Sequence, residues 1–190
     1  MRFVLASASP RRAELLRAAG YDFDVVSVNV DESPRSGEAP AAYVRRLAAE
    51  KSACASRDAE RIALQTVVLA ADTTVVVDDS ILGKPQDDVE VASMLRCLSG
   101  RRHEVLTGVS LRRGDVELGR VESTAVHFAQ LSEADIAWYV ASGEGRDKAG
   151  AYAIQGLASR FVPRIEGSYS NVVGLPIALV AELLREIFPF

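Results

Sequence analysis

The chain has 190 residues, 48% of them hydrophobic, enough to bury a sizeable core in one domain, or in one domain of two lobes. Its formal charge of −4 and pI near 5.3 argue against a generic binder of nucleic acid or anionic membranes, which would neutralise phosphates with surplus Lys and Arg. No stretch approaches the roughly 18 uninterrupted apolar residues of a membrane span, and the N-terminus lacks the pattern of a secretory signal, so a cytoplasmic location is the default expectation.

Phe3 to Ala6 reads as a strand and leads into Ser7-Ala8-Ser9-Pro10-Arg11-Arg12, a helix start with Ser9 at the cap and Pro10 in the first turn. Backbone N–H groups at such a start lack intrahelical partners and favour an anion, although a capped helix with solvated arginines explains the same residues. Phe23 to Val28 predicts a strand and Asn29 to Pro40 a polar loop. From Ala41, Tyr43, Val44, Leu47, Ala48 and Lys51 fit one helical face, and the Ala-rich composition extends this helix to about Leu64. Thr66 to Ala71 reads as a strand buried on both faces that ends at Asp72, and Thr74 to Val77 starts a second run. Ile81 to Pro85 is a turn-rich connection and Asp87 to Leu98 a helix with an acidic first turn. His103 to Arg112 and Val116 to Phe128 predict an antiparallel hairpin. Ser132 to Ala141 reads as a helix close to a capping box, Ser159 to Ile165 as strand-like, and Leu175 to Phe188 as a last helix with Pro176 near its start. Interleaved strands and helices with one hairpin predict an α/β fold, a mixed β-sheet flanked by helices, with ligands gathering where strands end.

Asp72 is the acid best placed for chemistry, because a carboxylate emerging from a buried strand is costly unless paired, hydrogen-bonded or bound to metal. An aspartate capping a turn is the alternative. Asp31 and Glu32 fall in an acidic loop, Lys84 in a Gly-Lys-Pro turn, and Lys51 where a helical lysine usually solvates the outer face. His103 and His127 have no acidic neighbours at metal-ligand spacing and read as packed or surface residues. Cys54 and Cys97 are far apart, without CxxC spacing, and read as free thiols. Ser7, Ser9, Ser168 and Ser170 form no nucleophile elbow, and no GxGxxG or GxxxxGK[ST] is present. Carboxylates, Arg11, Arg12, Lys51 and Lys84, and the small polar loops 148–156 and 167–171 make an inventory suited to a metal-bound polyphosphate.

ASASPRRAELL from Ala6, Asp31-Glu32, YVRRLAAEK ending at Lys51, AADT at Ala70 to Thr73, GKP at Gly83 to Pro85, LSG followed by HEVLTG, DKAGAYAIQG at Asp147 to Gly156 and GSYSNVVGLP at Gly167 to Pro176 resemble, in order, the Maf family of nucleoside triphosphate pyrophosphatases. The resemblance implies a fold related to inosine triphosphate pyrophosphatases, with one domain over residues 1–190 made of two lobes around a central cleft, and a homodimer in many members. It implies metal-dependent cleavage between the α and β phosphates, which would limit incorporation of non-canonical nucleotides. Ser7, Arg11, Arg12, Lys51 and Lys84 would hold the triphosphate, Glu32 and Asp72 would engage Mg²⁺ or Mn²⁺, and Asp72 would be the base. Asp72-Thr73 and Ile154-Gln155-Gly156 are similar to the subgroup preferring dTTP and UTP, which makes Arg12, Thr73 and Gln155 the base-reading set. A nucleotide-binding regulator of cell division using the same pocket is the second reading. A nucleic-acid or membrane partner is not expected.

Overall fold

Residues 3–6 and 67–71 alternate between two apolar surfaces, as successive side chains of a strand must. In the computed structural model, which describes residues 2–59 and 66–188, these segments are β1 (Arg2–Ala6) and β3 (Thr66–Val77), paired in parallel. β2 (Asp24–Val26) pairs in parallel with the other edge of β1, β4 (Ser80–Leu82) pairs antiparallel with β3, and β7 (Arg164–Glu166) pairs antiparallel with β6. With β5 (Arg102–Arg113) and β6 (Val116–His127), the order of the mixed sheet is β2-β1-β3-β5-β6-β7, with β4 off β3. The helices are α1 (Pro10–Ala18), α2 (Pro40–Ala59), α3 (Asp88–Leu98), α4 (Glu133–Ser142), α5 (Tyr169–Val173) and α6 (Ile177–Ile187).

The chain divides into two units, one of Met1–Thr73, Thr107–Glu122 and Gly174–Phe190, the other of Thr74–Leu106 and Ser123–Val173. In the first unit, Phe3, Leu5, Val67, Leu69 and Ala71 face one way and pack with Ala13 and Leu16 of α1 and Leu179, Val180 and Leu183 of α6. Val4, Ala6, Val68 and Ala70 face the other way and pack with Ala55 of α2. In the second unit, Val75 and Val77 join Val91, Leu95 and Leu98 of α3 and Ile136 and Tyr139 of α4 in a separate core. His103, Phe128 and Tyr152 meet edge to face inside that core, and His103 Nε2 lies 2.8 Å from the Tyr152 hydroxyl. Burial pushes the His103 imidazole down to about 4, so it is neutral at pH 7.

Several expectations are corrected. The strand does not end at Asp72: the β-branched residues Thr73 to Val77 carry β3 through it, and Asp72 is an interior strand residue. The connection after Val77 contains β4, because Asp78 and Asp79 at φ 47° and 60° make the tight two-residue turn that hairpins favour. β2 is shorter than residues 23–28. The segment 159–165 is no single strand: a 3₁₀ helix covers Leu157–Phe161 before β7. The last helix begins at Ile177, with Pro176 at its cap, and the short α5 precedes it. Ser9 does hold the cap position of α1, but its side chain makes no cap bond. The predicted continuation of α2 to Leu64 lies outside the described residues beyond Ala59. The capping box at Ser132 and Asp135 is present, and the two cysteines are free thiols. No helix among the described residues is long and apolar enough to cross a membrane.

Candidate active site

Strand alternation decides which way the Asp72-Thr73 pair points. Asp72 follows Val68 and Ala70 toward the α2 face, whereas Thr73 follows Leu69 and Ala71 toward the face that α1 covers. Two clusters result, both within the first unit.

On the α2 face, Lys51 Nζ lies 2.6 Å from Asp72 Oδ1 and 2.6 Å from Glu32 Oε1. Lys51 is 9% and Asp72 8% exposed, so the lysine that helical patterning assigns to the solvated face is buried, a correction with a clear cause: its ammonium is neutralised by two carboxylates. Burial pushes the Asp72 carboxyl above its ordinary value, while first Lys51 and then Arg12 pull it back. Glu32 comes from an exposed loop, but the loop is tied to α2. The Tyr43 hydroxyl donates to the Glu32 carbonyl at 2.9 Å, and Arg46 donates to the Ser33 carbonyl at 3.2 Å while forking onto Glu38 at 2.6 and 2.7 Å. The Arg46 fork holds the Glu38 carboxyl at about 2. Burial, with Asp72 and Glu32 adding to it, pushes the Tyr43 hydroxyl up to about 12 and so keeps it a donor. Asp31 does not join the cluster; its Oδ1 accepts from the Ser33 N–H at 2.9 Å.

On the α1 face the Arg12 guanidinium is the hub. Its Nε donates to the Gly174 carbonyl at 2.8 Å, one terminal nitrogen to the Ala71 carbonyl at 2.7 Å and to Ser7 Oγ at 3.3 Å, and the other to Thr73 Oγ1 at 3.0 Å. Four of the five donors of the group are thus spent inside the protein. Burial pushes its pKa down, Asp72 opposes this, and the group stays charged at neutral pH. Thr73 Oγ1 also lies 3.2 Å from the Gly174 carbonyl and 2.9 Å from Thr107 Oγ1, so its single hydrogen is spent on one of them. Gly174 has φ 129°, a backbone conformation that side chains disfavour, and this aims its carbonyl at both. Arg11, beside Arg12, makes no hydrogen bond or ion pair to another described residue.

Lys84 and Gln155 belong to the second unit. Lys84 is an exposed residue of a turn whose Gly83 carbonyl accepts from the Gly150 N–H at 3.1 Å. Gln155 is exposed in the turn 154–156, and its amide has no partner among the described residues. Residue patterning missed the Ala71 and Gly174 carbonyls, which leave no trace in a side-chain inventory, and Tyr43 and Arg46. The last two stand three residues apart on one helix, a spacing that could have flagged a pair reaching for the same loop.

Glu32 and Asp72 present hard oxygen donors that converge on one cation, and this donor set suits Mg²⁺ or Mn²⁺ with substrate phosphates completing the shell. Two carboxylates gathered about a buried ammonium form a cation-binding, proton-accepting group, and the Arg11 guanidinium is uncommitted among the described residues.

Residues 2–187 match the family model described as Maf-like protein. A dTTP/UTP pyrophosphatase of Anaeromyxobacter sp. (strain Fw109-5) is 53% identical over 189 residues, covering 97% of this chain and 88% of that protein. A protein of the same name from Shewanella oneidensis (strain MR-1) is 49% identical over 191 residues, covering 98% of each. The structure of the Ham1 protein of Staphylococcus aureus superposes with a TM-score of 0.56 at 15% identity, over 98% of this chain and 100% of that one, a likeness of fold alone.

Proposed function

Because the chain belongs to the Maf family, we propose that it hydrolyses nucleoside triphosphates, dTTP and UTP foremost, between the α and β phosphates to a nucleoside monophosphate and pyrophosphate. The observation that carries this reading is the buried Lys51 ammonium shared by Asp72 and Glu32. Relatives named for a pyrophosphatase favour turnover over a nucleotide-binding regulator.

Asp72 is the proposed base. Lys51 holds its Oδ1, which leaves Oδ2 to take the proton of the attacking water, and burial raises its basicity toward that task. Glu32 and Asp72 would hold Mg²⁺ or Mn²⁺; when bound, the ion supplies charge neutralisation and Lewis acidity to the phosphates. Arg11, uncommitted, would bind phosphate oxygens directly, and Lys84 would stabilise charge on the departing pyrophosphate. Arg12 with Ser7 would shape the floor of the phosphate site. Of the base-reading set, Gln155 has a free amide that can both donate to and accept from a pyrimidine edge, whereas Arg12 and Thr73 act mainly by holding each other in place. A cytoplasmic location and a homodimer belong to the same proposal.

The test is a panel of nucleoside triphosphates with Mg²⁺ or Mn²⁺, read out as released pyrophosphate. Pyrophosphate from dTTP and UTP in excess of the purine triphosphates is the expected result. Orthophosphate as the first product, or no turnover of any triphosphate, refutes the reading.

A further inference from the structure

Gln155 sits in an exposed turn, and such a turn does not by itself hold an amide in one place. Two residues with no assigned role, both in the second unit, grip the backbone on either side of it. The hydroxyl of Tyr139, a fully buried residue of α4, accepts from the Ala153 N–H at 3.3 Å and donates to Glu144 Oε2 at 2.8 Å. Glu144 Oε1 accepts from the Leu157 N–H at 2.9 Å, and its Oε2 accepts from the Ala158 N–H at 3.3 Å. The carboxylate therefore caps the 3₁₀ helix Leu157–Phe161 that directly follows the turn, satisfying N–H groups that have no partner in the helix itself. The turn is closed in between by the Gly156 N–H donating to the Ala153 carbonyl at 3.0 Å.

Gly156 supplies an independent sign that the carboxylate is built into the turn. Its φ of −109° suits any residue, so backbone strain does not require glycine there. A Cβ at this position, however, would fall on the Glu144 carboxylate and push it out of the turn. Tyr139 stays a donor to that carboxylate, since burial and then Glu144 itself push its hydroxyl pKa upward.

We propose that Glu144, braced by Tyr139, is a positioning residue that fixes the turn 154–156 and so sets how Gln155 discriminates between pyrimidine bases. The inference rests on the reading in which Gln155 recognises the base. Thymine and cytosine present opposite hydrogen-bonding groups at one edge, an acceptor O4 against a donor N4, and an amide held in one orientation can tell them apart. An amide on a loosened turn can rotate to suit either.

The experiment measures kcat/KM for dTTP and for dCTP in the wild type, Gln155→Ala, Glu144→Ala, Gly156→Ala and the double variant Gln155→Ala with Glu144→Ala. Gln155→Ala is expected to lower the dTTP-to-dCTP ratio by about tenfold, the worth of one hydrogen bond. Glu144→Ala and Gly156→Ala are expected to lower it as far, the second by displacing the carboxylate without removing it. The double variant should be no less selective than Gln155→Ala alone, because the two residues act through one contact. Glu144→Gln, which keeps one acceptor oxygen, serves where Glu144→Ala does not fold. A merely structural Glu144 predicts equal losses for both substrates at an unchanged ratio. That result, with Gln155→Ala still losing selectivity, overturns the positioning role. An unchanged ratio in Gln155→Ala overturns the base-reading assignment instead, and with it any brace acting through it.

Discussion

Arg11 and Arg12 are adjacent, chemically identical and both expected from the family resemblance to hold phosphate, yet only Arg12 is committed to bonds within the protein, and replacing each by lysine separates the two. Arg12 makes four hydrogen bonds, to the Gly174 and Ala71 carbonyls, Ser7 and Thr73, from three nitrogens that fan out in a plane. A single Nζ cannot span that fan. Arg12→Lys loses at least the Nε bond to Gly174 and one terminal bond, and at about 1.5 kcal/mol for each bond from a charged donor the cost is about 3 kcal/mol. For a domain of this size that corresponds to a fall in Tm of roughly 6 to 12 °C. Arg11→Lys removes no bond to the protein and should leave Tm within about 1 °C, since surface substitutions away from such features change stability little. It should instead raise KM for the triphosphate, because a point charge replaces a bidentate fork. Thermal melts in the absence of nucleotide, paired with steady-state kinetics on dTTP, read both effects. An unchanged melting temperature in Arg12→Lys would show that the guanidinium is not a brace. An equal loss of stability in Arg11→Lys would show that the division between the two arginines is wrong.

Asp72→Asn should lower kcat by about a thousandfold, within the usual range for losing a general base, while triphosphate binding persists; full activity in this variant would sink the assignment. Lys51→Met removes the cation shared by Glu32 and Asp72, so the nucleotide-free protein should bind Mn²⁺ more tightly by titration calorimetry or electron paramagnetic resonance. Unchanged Mn²⁺ affinity would argue that those carboxylates do not hold the ion. His103 is held down at about 4 against an ordinary 6.5, so the unfolded chain takes up the proton first as pH falls. Its contribution to stability is present above pH 6.5 and is lost between there and about pH 4, amounting to about 3 kcal/mol. Urea melts of the wild type and His103→Gln across that window should converge as pH drops, and parallel curves would refute the argument.

What could be read from sequence follows from how local each feature is. The capping box at Ser132 and the acidic start of α3 at Asp87 are spelled within four residues, and both form as expected. The 3₁₀ helix at Leu157 was hidden because its cap, Glu144, lies thirteen residues earlier in a different element. Helical patterning alone leaves Lys51 solvated for the same reason, since it names a face and not what a strand and a loop place opposite it; only the family resemblance puts this lysine in the site. Asp72 shows the limit most clearly. Treated as a strand end, it and Thr73 would be two neighbouring polar residues in one loop. Treated as strand interior, the same two residues must point to opposite faces, one to the ammonium of Lys51 and the other to the guanidinium of Arg12. A single shift of strand boundary therefore separates the chemistry of the proposed base from the holding of Thr73. It also predicts that Thr73→Val, which removes the hydroxyl while keeping β-branching, should disturb the Arg12 cluster, lowering Tm and dTTP selectivity. The same change leaves the Arg12 charge in place, so the pH dependence of kcat, governed by Asp72 under the pull of that charge, should stay where it was; a shifted pH profile would show that the guanidinium moves away when the Thr73 hydroxyl is lost.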